Sequence, residues 1–201
     1  MKMKLKIVPG YFLAFGMLWA APPTCVTGTL ASYIGLGAEG CTFIGNTFAN
    51  FAYSASASGG AVVIKADQIT VTPLFIPTAT ASFNFSAPWS VGRDQTQDST
   101  ISYTTVLPCG DGQTAELDLA LGPAHIGGII GSVRVDETTN VGKLSVFDRC
   151  TEVCQTKPSD SLTFNPVSVV LISDHVSLSG GLGGASLSGF SSTLNRCIPC
   201  V

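Results

Sequence analysis

The sequence predicts an all-β protein: an antiparallel β-sandwich, jelly-roll-like, with about nine strands and one short N-terminal helix. Three observations lead there. Apolar and polar residues alternate at period two through most of the chain after residue 47. Polar, glycine-rich turns recur at short intervals, as at Gly92-Arg93-Asp94, Asn140-Val141-Gly142 and Gly180 to Gly184. No helical crossover separates the strands, which argues against a parallel α/β sheet.

The chain opens with Lys2, Lys4 and Lys6, followed by an uncharged apolar run from Ile7 to Ala21 that ends in small residues. This is the order of charged, apolar and cleavage regions in a secretory signal peptide. The run is about 15 residues long, short of the roughly 20 a spanning helix needs, so no retained membrane span is expected. Cleavage is expected near Ala20 or Ala21, giving residues 1–21 as signal and 22–201 as a single β-sandwich domain. Cys25 follows Pro22-Pro23-Thr24 and not a lipobox, so a lipoprotein anchor is not expected.

Loss of the three signal lysines takes the basic count from 10 to 7 against 13 acidic residues, a mature net charge near −6. Nucleic-acid backbones demand a basic surface, so they are excluded as partners. Only 11% of the chain is charged, and Ser, Thr, Gly and Ala supply the polar balance.

Seven cysteines remain in the mature chain: Cys25, Cys41, Cys109, Cys150, Cys154, Cys197 and Cys200. After export, disulfides are the default. Cys25 with Cys41 closes a loop around Gly28 to Gly40, Cys150 with Cys154 staples a hairpin, and Cys197 with Cys200 forms a terminal ring. That leaves Cys109 unpaired; alternatively Cys109 pairs with a terminal cysteine and another thiol is free. The Cys197-x-x-Cys200 spacing is that of redox proteins, but no helix follows to lower a thiol pKa. Cys150, Cys154, Cys197 and Cys200 together also match a four-thiolate zinc set, a reading that export disfavours.

Thr27 to Leu36 reads as the one helix, capped by Thr27 or Thr29, carrying the stripe Leu30, Tyr33 and Ile34, and stopped by Gly35 and Gly37. Phe48, Phe51 and Tyr53 then enter a Ser/Ala strand. Alternation continues through Ile69 and Val71; Ala81, Phe83 and Phe85; Ile101, Tyr103, Thr105 and Leu107; and Ala115, Leu117, Leu119 and Leu121. It resumes in Val133 and Val135, Leu144 and Val146, Leu162 and Phe164, and Ala185 and Leu187. Between Val167 and Leu178 the apolar residues change parity, which predicts a bulge near Leu171 to Ser173 or a strand passing between sheets.

Candidate chemistry is sparse. Glu116 and Asp118 share one strand face, a pattern more typical of a solvated face than of a glycosidase carboxylate pair. Of the two histidines, His125 and His175, the second adjoins Asp174, but strand neighbours point to opposite faces and make no dyad. Ser173, His175 and Ser177 share a face without a nucleophile elbow. Asp94 with Asp98, Asp111, and Asp136 with Glu137 are expected in loops where they can offer oxygens to calcium, though no known ligand spacing is matched. Trp89 and Phe75, near turns, are read as packing residues before sugar-stacking ones. No catalytic residue, metal site or cofactor is expected.

The run CVTGTLASYIGLGAEGCTFIGNTFANFAYSASASGGA (Cys25 to Ala61) resembles a family of small exported proteins of Acidobacteria and related bacteria that typically end in a PEP-CTERM sorting tail. FNFSAPWSVGRDQTQDSTISYTT (Phe83 to Thr105), KLSVFD (Lys143 to Asp148) and DSLTFNPVSVVLISDHVSLSGG (Asp160 to Gly181) extend the likeness. The resemblance implies an extracellular β-sandwich of unassigned activity, associated with the cell surface or its polysaccharide matrix. This sequence contains no Pro-Glu-Pro motif, so sorting by that route is not expected. The expectation is therefore a secreted, non-enzymatic structural or adhesive protein, with extracellular polysaccharide or other surface proteins as partners and no predicted oligomeric state. The alternative is a carbohydrate-binding or carbohydrate-active jelly roll.

Overall fold

Period-two alternation requires each strand to bury one face, and two sheets stacked face to face satisfy that requirement. The computed structural model describes residues 21–76, 80–107, 113–165 and 167–199. The elements run in the order β1 (Gly28–Thr29), α1 (Leu30–Ile34), β2 (Cys41–Phe43), β3 (Asn46–Ser58), a 3-10 turn (Ala66–Gln68), β4 (Thr70–Ile76), β5 (Thr80–Val91) and β6 (Thr96–Val106). There follow β7 (Gln113–Leu121), β8 (Ala124–Ile126), β9 (Ile130–Thr139), β10 (Lys143–Thr151), β11 (Val153–Lys157), β12 (Ser159–Phe164), β13 (Val169–Ser179) and β14 (Ala185–Pro199). Sheet I has the order β1-β4-β5-β14-β7-β12, with β8 also paired to β14. Sheet II has the order β11-β10-β9-β13-β6-β3-β2. Every pairing between named strands is antiparallel.

The expected sandwich class holds, but the described residues form 14 strands where alternation predicts about nine. Among those that alternation does not reveal are β1, β2, β8 and β11, two to five residues long. Strands that short are recruited by their neighbours' hydrogen bonds and leave almost no periodic signal of their own.

Helix α1 lies within Thr27 to Leu36 as expected, and Thr29 caps it by accepting from the Ser32 N–H at 3.1 Å. Leu30 and Tyr33 are buried. The Tyr33 ring meets Phe51 and Phe83 edge-on, at 5.0 and 5.8 Å between centroids. Cys25 and Cys41, bonded to each other as predicted, bracket this helix and are themselves buried. Cys150 and Cys154 are bonded across the β10–β11 hairpin, also as predicted. Cys109 and Cys200 lie outside the described residues, and only the backbone of Cys197, in β14, falls within them. Residues 1–20 of the expected 1–21 signal segment, and Asp111, also lie outside.

Phe48 and Phe51, three residues apart, both reach the core because the register of β3 against β6 shifts between Ala49 and Ala52, with Asn50 at φ 56°. The bulge expected near Leu171 to Ser173 does not form. β13 runs in unbroken register with β6 from Val169 to Ser179, and Leu171 and Val169 are exposed. The parity change arises because the core-facing positions Val170, Ile172, Asp174, Val176 and Leu178 include an acid, while two apolar residues face outward. Between Lys157 and Asp160 the chain turns a corner: β11 in sheet II gives way at Pro158 to β12 in sheet I. Across the open margin between the sheets, the Asp160 carboxylate accepts from the Ser145 N–H at 2.9 Å and pairs with Lys157 at 2.8 Å.

Candidate functional site

Side chains named from sequence fall on three separate surfaces. Glu116 and Asp118 share the outer face of sheet I, as alternation predicts, and Asn195 of β14 donates to both carboxylates. Burial, then the charge of Glu116, raises the Asp118 carboxyl, and the Asn195 hydrogen bond opposes them. His125 sits on the same sheet beside Ser186, in a shallow depression of about 420 Å³.

The calcium reading of the acidic residues is corrected in part. Asp94 is in the β5–β6 turn as expected and pairs with Arg93 at 3.4 Å. Asp98, Asp136 and Glu137 are in strands instead of loops, because β6 and β9 extend further than their apolar residues suggest. Asp136 points outward and pairs with Arg134 at 2.7 Å, whereas Glu137 points into the core. Among the described residues no group of three His, Cys, Asp or Glu side chains is placed to hold a metal ion. Trp89 is a packing residue, 1% exposed, with its indole N–H donated to Ser99 at 3.2 Å; Phe75 is 67% exposed on β4.

The outer face of sheet II brings together what sequence reading kept apart. His175 Nε2 lies 3.3 Å from Asp98 Oδ1, and the two flank each other across the β6–β13 ladder. Asp174 points the opposite way, as expected. Rows of paired residues cross four strands: Ser54, Thr100, His175 and Asp136 form one, and Ala52, Ser102, Ser173 and Thr138 the next. A third contains Ser56, Asp98, Ser177 and Arg134, and a fourth Ser58, Thr96, Ser179 and Ser132. Sheet geometry spaces such side chains about 4.8 Å across strands and roughly 6.8 Å along them. The result is a lattice in which hydroxyls predominate.

Two shallow depressions lie on this face. One, of about 370 Å³, is lined by Ser54, Ser56, Asp98, Thr100 and His175. The other, of about 430 Å³, has Leu171 among Asn50, Ser102, Thr104, Thr138 and Asn140. Asn50, at the β3 bulge, donates to Thr104 Oγ1 at 3.1 Å, and Thr104 donates to the Ala49 carbonyl at 3.1 Å. Val106, Val169 and Leu171, 46%, 38% and 52% exposed, make the end of the face apolar. Cross-strand register, between residues about 75 apart in the chain, assembles this face; nothing local in the sequence marks it.

No family model matches the chain, and no curated protein matches it. Solved structures give remote superpositions. TmCBM61 in complex with β-1,4-galactotriose aligns at TM-score 0.30 and 13% identity, over 72% of this chain and 88% of that one. The family 11 carbohydrate-binding module of Clostridium thermocellum, in complex with a β-1,3-1,4-mixed-linked tetrasaccharide, aligns at TM-score 0.25 and 12% identity, over 74% and 91%. The enzymatically active domain of bacteriophage CBA120 tailspike protein 4 aligns at TM-score 0.30 and 15% identity, over 73% of this chain and 19% of that one. Likenesses this distant carry no argument about function.

Proposed function

We propose that this chain is a secreted, non-enzymatic adhesive module that holds extracellular polysaccharide against the outer face of sheet II. The observation that carries the reading is the hydroxyl lattice across β3, β6, β13 and β9, with an apolar end at Leu171 flanked by Asn50 and Asn140. A glycan presents repeated hydroxyls and, on its ring faces, C–H groups. A rigid sheet offering donors and acceptors at regular spacing, beside an apolar platform, matches both without large ordering costs. Arg134 and Asp136 on the same face already pair their opposite charges with each other, which favours a neutral polymer.

Retention of the purified chain on insoluble polysaccharides and on a glycan array tests this, together with a hydrolysis screen. Leu171→Lys and Thr104→Lys are expected to abolish retention, and Ser161→Lys, on the outer face of sheet I, to leave it unchanged. Equal retention of all variants, or no retention by the native chain, overturns the assignment of the face. Turnover of a retained glycan overturns the non-enzymatic reading.

A further inference from the structure

The core of the sandwich contains two acids. Glu137 of β9 and Asp174 of β13 are direct partners in the strand register, point between the sheets, and are each 0% exposed. Ser192 of β14 donates to Glu137 Oε2 at 2.6 Å, and Ser192 in turn accepts from the Tyr103 hydroxyl of β6 at 3.1 Å. Glu137 Oε1 and both Asp174 oxygens receive no hydrogen bond from any donor among the described groups. Few titratable groups stand on the elements around the pair, and β8, packed against β9, carries His125, which is exposed. β6 supplies Tyr103, β7 supplies Asp118 from the far side of sheet I, β10 supplies Leu144 beside Glu137, β14 supplies Ser192, and the core face of β5 is apolar. No Lys, Arg or His belongs to the described core.

Two ionised carboxylates side by side in such a place would be desolvated and mutually repelled with no cation to offset them. A single proton resolves both problems. The protonated carboxyl becomes a donor, its neighbour accepts, and one negative charge remains, partly stabilised by Ser192. We propose that Glu137 and Asp174 share one proton in the folded chain and form a pH-sensitive latch at the centre of the sandwich, closed in acid and weakened as the surroundings turn alkaline.

The electrostatics agree in direction. Burial, then the charge of Glu137, lifts the Asp174 carboxyl well above its ordinary range. Burial also raises Glu137, opposed by the Ser192 hydrogen bond and by the one a protonated Asp174 would donate, and assisted by the charge of Asp118. Because the folded pair binds its proton more tightly than the unfolded chain does, its contribution is complete below the ordinary carboxyl range and is lost as pH rises through the folded value. For one extra proton held in the folded state, the folding constant falls about tenfold per pH unit over that interval.

Urea midpoints of the full chain from about pH 5 to about pH 9 test the latch against Glu137→Gln/Asp174→Asn, in which neither side chain of the pair titrates and an amide N–H can still donate to its neighbour. The native midpoint is expected to fall steadily across the range and that of the double variant to stay level. A level native profile, or an unchanged slope in the variant, overturns the proposal. Should the variant not fold, infrared spectroscopy of the native chain decides: a protonated-carboxyl C=O band persisting in the folded state at neutral pH supports the latch, and its absence overturns it. A drop in the midpoint on adding EDTA also overturns it, since a bound cation would then occupy the place of the proton.

Discussion

Asn140 holds Leu171 in place from beyond the end of its own strand. β9 stops pairing with β13 at Thr139 opposite Ile172, and the Asn140 side chain continues the ladder. Its Oδ1 accepts from the Leu171 N–H at 3.0 Å, and its Nδ2 donates to the Val169 carbonyl at 3.0 Å. The amide thus imitates one residue of a neighbouring strand and sets the apolar end of the proposed binding face. Asn140→Ala removes both bonds and is expected to lower stability by about 1–2 kcal/mol, seen as a lower urea midpoint at unchanged slope. Asn140→Asp keeps the acceptor, loses the donor, and should cost about half as much.

The two described disulfides differ in loop length and access. The Cys25–Cys41 bridge spans 16 residues and is buried; the Cys150–Cys154 bridge spans 4, with Cys154 exposed on the hairpin. Loop-closure entropy gives about 3 kcal/mol for the first and about 2 for the second. Paired Cys→Ser substitutions, compared by denaturant titration, should follow that order. Under graded reductant, peptide mapping should find Cys150 and Cys154 reduced first, because thiol exchange requires access to sulfur.

Asp160 ties the two sheets at their open margin, and its carboxyl titrates in the sense opposite to the core pair. Burial acts to raise it, but Lys157 together with the Ser145 and Ser161 N–H groups outweighs burial and holds it below the ordinary value of 3.8. A depressed carboxyl contributes above that ordinary value, and the contribution disappears as pH falls through the folded one. Asp160→Asn should therefore destabilise the chain at neutral pH and flatten the acid limb of its stability profile below about pH 4. Thermal midpoints measured down the acid limb check this.

Ser99 is the hub of a second buried polar set. It accepts from the Trp89 indole at 3.2 Å and lies 3.1 Å from the Tyr53 hydroxyl, which donates to the Ile64 carbonyl at 2.8 Å. Ser99→Ala leaves the indole N–H sealed in the core without an acceptor, an expected loss of about 1–3 kcal/mol. Denaturant titration followed by tryptophan fluorescence measures it.

How far each feature could be read depended on whether its cause is local. Alternation places Leu117, Leu119, Phe83, Phe85, Ile101 and Tyr103 in the core, and they are there, because side-chain direction in a strand follows from the pleat alone. Thr29 caps α1 and Gly35 ends it for equally local reasons. The Cys25–Cys41 bridge follows from a short loop that closes with little entropy loss. The Asp98–His175 contact was not legible: its members are 77 positions apart, and only the pairing of β6 with β13 juxtaposes them. The expected bulge in β13 failed for a related reason. An acid at Asp174 reads as outward, and its inward position makes sense only once Glu137 is known to stand beside it.

The sequence by itself determined an all-β sandwich with a cysteine-bracketed, threonine-capped helix, since period, capping and short-loop closure are properties of neighbouring residues. Tertiary structure alone decided which carboxyls are buried, which hydroxyls line up into a face, and which strands pair. Those depend on register between distant segments, and a one-residue slip would exchange the two faces of a strand. Glu137 and Asp174 show the division most clearly. Each looks like an ordinary surface acid in the chain, and the alignment of β9 with β13 turns the two into a proton-sharing pair.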